Sequence, residues 1–186
     1  MPAAALIGAV LVGGASTRMG ADKASLDVGG SPLGARAFDA LVGNGLEVML
    51  IGAGDEHAAL PGRSVDDLWP GEGPVGAVLT SLHTTFLAGS TSVVILACDL
   101  PSVTAEAVRS LIDASGPKHV VLATVDGRRA FPNGVWPVAL LPALEDAFGE
   151  GADSFAELLA TVDVVEVDAG TAFTDADEPG DLNAFR

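Results

Sequence analysis

The sequence predicts an α/β fold built on a mostly parallel sheet. Three observations carry that expectation. Apolar runs of strand length alternate with helix-period segments along the whole chain. The clearest run, Val93 to Ala97, is β-branched and continuous, as a strand covered on both faces should be. The chain has 186 residues, 49% of them apolar, enough for one domain over residues 1–186 with a sizeable core of its own.

The elements follow in order. Leu6 to Val12 is an apolar run that ends at Gly13-Gly14. Ser31-Pro32 is a helix start, with Ser31 as cap and Pro32 at the first helical position, and the helix runs from Leu33 to Val42 before Asn44-Gly45. Leu46 to Ile51 is a second strand, stopping at Gly52-Ala53-Gly54. Asp55 to Pro74 is polar and rich in turn residues. From Pro74 the period is helical, with Val75, Val78, Leu79, Leu82 and Phe86 on one face and His83 beside it. Val93 to Ala97 ends at Cys98-Asp99-Leu100-Pro101. Thr104 caps a helix through Ala114, His119 to Val125 is another strand, and Asp126-Gly127 is a turn. Arg128 to Pro137 reads as irregular. Helices near Leu141 to Phe148 and Ser154 to Ala160 follow, the second capped by Asp153. Val162 to Val167 is a late strand, and an acidic cluster, Asp175 to Glu178, leads into a short terminal helix.

Charge and cysteine content narrow the function classes. A formal charge of −16 argues against nucleic acid and anionic membranes as partners. The single cysteine, Cys98, excludes an internal disulfide and a cysteine-rich metal site, and fits a reducing, cytoplasmic compartment. The N-terminal apolar run lacks a basic flank and is too short to span a bilayer.

Against that acidic background, two of the nine basic residues, Arg18 and Lys23, fall in one loop, GGASTRMGADK. A strand that releases into glycine and small residues exposes backbone N–H groups, and with two cations these suit a phosphate. The loop is not a Walker A motif, because no Gly-Lys-Ser/Thr triplet exists in the chain. Gly52-Ala53-Gly54 begins a dinucleotide fingerprint, but His57 stands at its third glycine position. Asp99, at the end of a buried strand, is placed to hold Mg²⁺, a hard cation that bridges carboxylates to substrate phosphates. In open α/β sheets ligands sit beyond the carboxyl ends of the strands, where Gly13-Gly14, Gly52-Ala53-Gly54 and Asp99 would converge on one crevice.

Residues 11 to 23, LVGGASTRMGADK, resemble the motif of the nucleotidyltransferases of molybdenum cofactor biosynthesis, most closely the molybdenum cofactor guanylyltransferases. Gly73-Pro74-Val75-Gly76 is similar to the family's Gly-Pro-Leu-x-Gly, and Cys98-Asp99-Leu100-Pro101 to its Cys-Asp-x-Pro. Asp175 to Leu182 is similar to its C-terminal Asn/Asp-x-Asn/Asp-x-Pro-x-Asp-Leu. The resemblance implies a Rossmann-like three-layer α/β/α nucleotidyltransferase fold. It implies Mg²⁺-dependent transfer of GMP from GTP to the phosphate of the molybdenum-pterin cofactor, with proteins that deliver or accept that cofactor as further partners. Arg18, Lys23 and Asp99 would be catalytic, with Asp99 on the metal. Nucleotide contacts would come from Leu11, Val12, Gly13, Gly14, Lys23, Gly52, Asp67, Gly73 and Asp99. Asp66 is an alternative to Asp67, and Asp67 also reads as a turn residue. Asp175 or Asp177 reads either as a metal ligand or as the acidic entrance to the last helix.

The chain departs from the family pattern in three places. Gly52 stands where such enzymes often have an asparagine, and Val12 replaces an alanine. The segment from Gly151 to Leu159 holds Asp153 and Ser154 where an arginine is expected, which leaves Arg128 and Arg129 as candidates for the pterin-side phosphate. Trp136 reads either as core or as a stacking surface for a flat acceptor. The rival functions are a transferase using CTP or another phosphorylated acceptor, and a nucleotide-binding protein without catalysis.

Overall fold

The computed structural model describes residues 5–13, 26–28, 30–52, 60–176 and 181–182. Its strands are β1 (Leu6–Leu11), β2 (Glu47–Ile51), β3 (Arg63–Val65), β4 (Ser92–Ala97), β5 (His119–Val125), β6 (Arg128–Pro137) and β7 (Asp163–Asp168). Its α-helices are α1 (Leu33–Val42), α2 (Gly73–Leu87), α3 (Ala105–Asp113), α4 (Leu141–Gly149) and α5 (Phe155–Leu158). The strands form one seven-stranded sheet in the order β3-β2-β1-β4-β6-β5-β7. Among the described strands β6 alone runs against the others, antiparallel to both β4 and β5.

Side-chain alternation on the central strands feeds two cores. Val10, Leu50, Val94, Leu96, Val121 and Val135 point to one face, where they meet Ala37 and Leu41 of α1 and Val108 and Leu111 of α3. Ala9, Met49, Ile51, Val93, Ile95 and Leu122 point to the other, against Val78, Leu79 and Leu82 of α2, Leu144 of α4 and Leu158 of α5. Both faces of β1 and β4 are therefore covered, which is why these strands read as continuous apolar runs. The result is the three-layer α/β/α arrangement expected from the sequence.

Several local expectations are corrected. Ser31 is not the cap of α1. Pro32 occupies the N-cap position with no side-chain cap bond, because the chain enters the helix from an extended bridge between Asp27 and Pro32. Phe86 is 59% exposed. Thr85 takes the inward position one residue earlier, its Oγ1 donating to Ser81 O at 2.7 Å. Ser154, not Asp153, caps α5, its hydroxyl accepting from Glu157 N while Glu157 Oε2 accepts from Asp153 N (3.2 Å) and Ser154 Oγ (2.9 Å). Two strands lay hidden: the three-residue β3, and β6, where an irregular segment was expected.

The structure of β6 explains why it was missed. Asp126 (φ 50°) and Gly127 (φ 72°) make the two-residue hairpin turn that joins it to β5. The ladder with β5 shifts register between Leu122 and Thr124. A Cβ on Gly134 would lie 2.0 Å from Val121 O, so the strand admits no side chain there. Asn133 then replaces a ladder bond with its side chain: Oδ1 accepts from Ala97 N at 2.8 Å and Nδ2 donates to Ala130 O at 2.8 Å. A Pro-Asn-Gly run that reads as a breaker is thus a strand tied in by steric fit and a side-chain amide. Among the described residues no helix is long and apolar enough to cross a membrane.

Candidate active site

The site is laid out by strand register. Leu11 pairs with Ile51 on one side and Ala97 on the other, so the residues that follow β1, β2 and β4 emerge together at the carboxyl edge. Gly52 N donates to Val65 O at 3.0 Å, bringing the end of β3 to the same edge. Gly13, Gly52, Asp67 and Asp99 therefore follow four neighbouring strand ends. The connection through α1 crosses one face of the sheet and that through α2 the other, so the order reverses between β1 and β4. That is the switch point at which open α/β sheets bind ligands.

Gly13 and Gly52 meet backbone to backbone. Val12 N and Gly13 N both donate to Ile51 O, at 3.0 and 3.1 Å. A Cβ on Gly13 would come 2.9 Å from Gly52 Cα, and a Cβ on Gly52 would come 2.9 Å from Gly13 Cα. Gly52 also holds φ at +74°, in the left-handed region. The residue that looked like a lost side-chain contact is a glycine because the neighbouring strand end leaves no room for anything else.

Asp99 is half-buried just after β4, and its surroundings are tied through main chain. Ala176 N donates to Asp99 O at 2.9 Å, and Asn133 holds Ala97 N two residues earlier. Arg36, on α1, donates through Nη1 to Pro101 O (3.0 Å) and through Nη2 to Val28 O (3.3 Å). It clips the chain that leaves the glycine-rich loop to the corner that follows Asp99. Sequence reasoning missed Arg36, since an arginine on an amphipathic helix reads as a solvent-facing residue. Val28, Leu33, Ala176 and Leu182 form a small separate core that fixes the C-terminal segment over this corner.

The tail thereby brings Asp175 to Asp99. Both line a cavity of about 740 Å³, together with Arg128 and Arg129 of the β5–β6 hairpin and with Phe131 and Phe173. Asp99 and Asp175, two of the three carboxylates that line the cavity with Asp126, give an all-oxygen donor set. Among the described residues no group of three or more His, Cys, Asp and Glu side chains is assembled as for a metal. The set fits Mg²⁺, which takes one or two protein carboxylates and completes its shell with substrate phosphates and water. It does not match a structural zinc site, which is built from four Cys and His ligands.

Asp67 has a defined structural task. Its Oδ1 accepts from Trp69 N at 3.0 Å, closing a turn of the chain on itself. The Thr80 hydroxyl accepts from Leu68 N at 3.1 Å and stands 2.8 Å from Asp67 Oδ1 and 3.0 Å from Gly76 O, sharing one proton between two acceptors. The turn reading of Asp67 is therefore met. Gly73 opens α2 at the carboxyl edge with φ +61°, and a Cβ there would meet no atom within 4 Å, so it leaves open space at the helix N-terminus.

Gly14, Arg18, Lys23 and Asp177 lie outside the described residues. Trp136 does not offer a stacking surface. It is fully buried and its Nε1 donates to Pro132 O at 3.0 Å, because its register with Val93 turns it into the core. His83 is scaffold: its Nε2 lies 2.5 Å from Glu145 Oε1 and its ring packs on Trp69.

The sequence model of the MobA-like NTP transferase domain matches residues 8–165. A probable molybdenum cofactor guanylyltransferase of Carboxydothermus hydrogenoformans is 31% identical over 137 residues, covering 74% of this chain and 68% of its own length. One of Opitutus terrae is 31% identical over 163 residues, covering 86% and 80%. Among solved structures, molybdopterin-guanine dinucleotide biosynthesis protein A of Archaeoglobus fulgidus superposes with a TM-score of 0.75 at 19% identity, over 95% of each chain. A nucleotidyl transferase of Methanothermobacter does so with a TM-score of 0.76 at 17% identity, over 97% and 95%. These structural matches show the fold, while the sequence match over residues 8–165 shows the family: the chain belongs to the MobA-like NTP transferases and is a nucleotidyltransferase.

Proposed function

We propose that the chain transfers GMP from GTP to the terminal phosphate of the molybdenum-pterin cofactor, giving the guanine dinucleotide form and pyrophosphate. The observation that carries this reading is the convergence of Gly13, Gly52, Asp99 and Asp175 on one edge at the switch point of the sheet. The names of the sequence relatives, molybdenum cofactor guanylyltransferases, support the choice of substrates. GTP as substrate places the reaction in the cytoplasm, and proteins that deliver or accept the pterin are the partners the reading requires.

In the reaction an acceptor phosphate oxygen forms a bond to the α-phosphorus while the α–β phosphoanhydride bond breaks and its electron pair leaves with pyrophosphate. Such transfers ask little covalent chemistry of side chains, so rate comes from positioning and charge neutralisation. The backbone of Leu11 to Gly14 holds the nucleotide against the closely packed Gly13–Gly52 floor. Gly73 and Asp67 border the base, and Arg18 and Lys23 hold the triphosphate and the leaving pyrophosphate. Asp99, with Asp175 on the same cavity, would hold Mg²⁺. The metal, when bound, neutralises charge developing on the phosphates.

The test is pyrophosphate release with GTP, CTP and ATP plus Mg²⁺, with and without the molybdenum-pterin acceptor. Release that requires both GTP and acceptor is expected. Release with CTP alone among the triphosphates would move the reading to a cytidylyltransferase, and binding without release would make the chain a non-catalytic nucleotide binder. Lys23→Ala and Asp99→Ala are each expected to lower turnover by about 10²- to 10³-fold with the fold intact. Near-normal turnover in either variant would overturn its role.

A further inference from the structure

We infer that Arg128, on the β5–β6 hairpin, binds the acceptor's phosphate, with Arg129 acting as the anchor that holds the hairpin. The inference rests on the nucleotidyl-transfer reading above and assigns the acceptor's side of the same cavity.

Because β6 runs antiparallel, its first residues and the last of β5 stand at the carboxyl edge, the edge that carries Asp99. Two ladder spacings separate β4 from β5, roughly 10 Å, and the cavity is lined from both, by Ala97 at the end of β4 and Val125 at the end of β5. Arg128 and Arg129 both line it, but they are not equivalent. Arg129 pairs with Thr124 in the ladder, so it shares the sheet face of Leu122. There its Nε donates to Glu166 Oε1 of β7 at 2.7 Å, which neutralises it and ties the hairpin to the edge strand. Arg128 pairs with Val125 and takes the opposite face. Phe173 packs on that face, in the same core as Val125 and Ala130, and leads directly into Asp175.

Arg128 is exposed and makes no ion pair with another described residue. It therefore presents a guanidinium to a cavity whose described lining also carries three carboxylates, Asp99, Asp126 and Asp175, and the paired Arg129. An acceptor phosphate entering this acidic cavity needs a cation on its own side, separate from those that hold the triphosphate. The planar fork of an arginine gives that phosphate two parallel hydrogen bonds and so sets the direction of its attacking oxygen.

The experiment measures binding, not turnover, so it stands apart from the GTP assay. A pterin phosphate and its dephosphorylated counterpart are titrated into the full chain and followed by pterin fluorescence. The wild type is expected to prefer the phosphorylated probe by on the order of 10-fold, as for one charge-assisted contact. Arg128→Gln abolishes the preference while leaving GTP binding and the melting temperature unchanged. Glu166→Gln keeps the preference, because the phosphate contact belongs to Arg128. A preference that survives in Arg128→Gln, equal affinity of the wild type for both probes, or a preference lost only in Glu166→Gln each overturns the inference. Absence of pyrophosphate release with an intact preference would instead refute the transfer reading alone.

Discussion

A single methyl group at position 13 tests whether backbone packing sets the floor of the nucleotide site. A Cβ on Gly13 would fall 2.9 Å from Gly52 Cα and 3.0 Å from Gly52 O, both main-chain atoms that can retreat only if the ends of β1 and β2 part. Overpacking of this kind costs about 1–3 kcal/mol. In a chain of this size each kcal/mol lowers Tm by about 2–4 °C, so Gly13→Ala should melt roughly 2–12 °C below the wild type. Gly52→Ala meets Gly13 Cα at the same 2.9 Å and must also hold φ at +74°, which adds about 1–2 kcal/mol. Its Tm should lie below that of Gly13→Ala. Because one separation of the strand ends relieves both clashes, the double variant should lose less than the sum of the two. Differential scanning fluorimetry gives the three Tm values, and titration with GTP and Mg²⁺ should show affinity falling in the same order. A Gly13→Ala protein with wild-type Tm, or a Gly52→Ala protein no worse than Gly13→Ala, would refute the steric argument.

Thr80→Val leaves Leu68 N without its acceptor and should cost about 1–3 kcal/mol, seen as faster amide exchange at Leu68. Asp67→Asn keeps the Oδ1 acceptor for Trp69 N and should leave Trp69 exchange near wild type, whereas Asp67→Ala should not. Asn133→Ala removes the acceptor of Ala97 N at the end of β4 and should lower the urea midpoint by an amount equivalent to about 1–3 kcal/mol. Glu157 is held below the usual carboxylate range, chiefly by the Ser154 hydroxyl and then by the Asp153 N–H. A depressed folded pKa means this cap stabilises α5 above the ordinary glutamate value of about 4.3 and is lost as pH falls through the folded value. In an NMR titration Ser154→Ala should raise the Glu157 pKa, and no change would remove Ser154 as the cause.

The parts of the fold that were legible are those where one residue pattern has one physical meaning. Val93 to Val94 and Ile95 are buried on both faces of the sheet, and a β-branched apolar run of that length has few other solutions. A threonine just before a helical period is a cap signal, and the Thr104 hydroxyl does accept from Ala107 N. Where two meanings compete, sequence alone chose badly. Pro132, Asn133 and Gly134 signal a break, yet β6 uses Gly134 to clear Val121 O and Asn133 to replace a ladder bond. Phe86 fits the apolar period of α2, but the last turn of that helix turns Thr85 inward and leaves Phe86 and Leu87 59% and 81% exposed. The placement of Gly13, Gly52 and Asp99 at neighbouring strand ends was legible because glycine and aspartate mark where an apolar strand stops. The clip by Arg36 was not, because its acceptor Pro101 O lies 65 residues along the chain.

These contacts share one design. Asp99 follows a strand whose last amide is held by Asn133, its own carbonyl accepts from Ala176, and the corner two residues on is held by Arg36. The three tethers come from the reversed strand, the C-terminal segment and the first helix, so the position of the carboxylate is set by elements that meet only in the finished fold. The proposed transfer, with Asp99 in its proposed role, would need that, since a charge that must reorganise during the reaction loses much of its advantage. Val28 and Leu33 are far in sequence from Ala176 and Leu182, but the four pack into one small core, and Ala176 N ties that core to Asp99. A change in that core, such as Leu182→Ala, would displace Ala176 and with it the hydrogen bond to Asp99, altering the site without touching a residue that lines it.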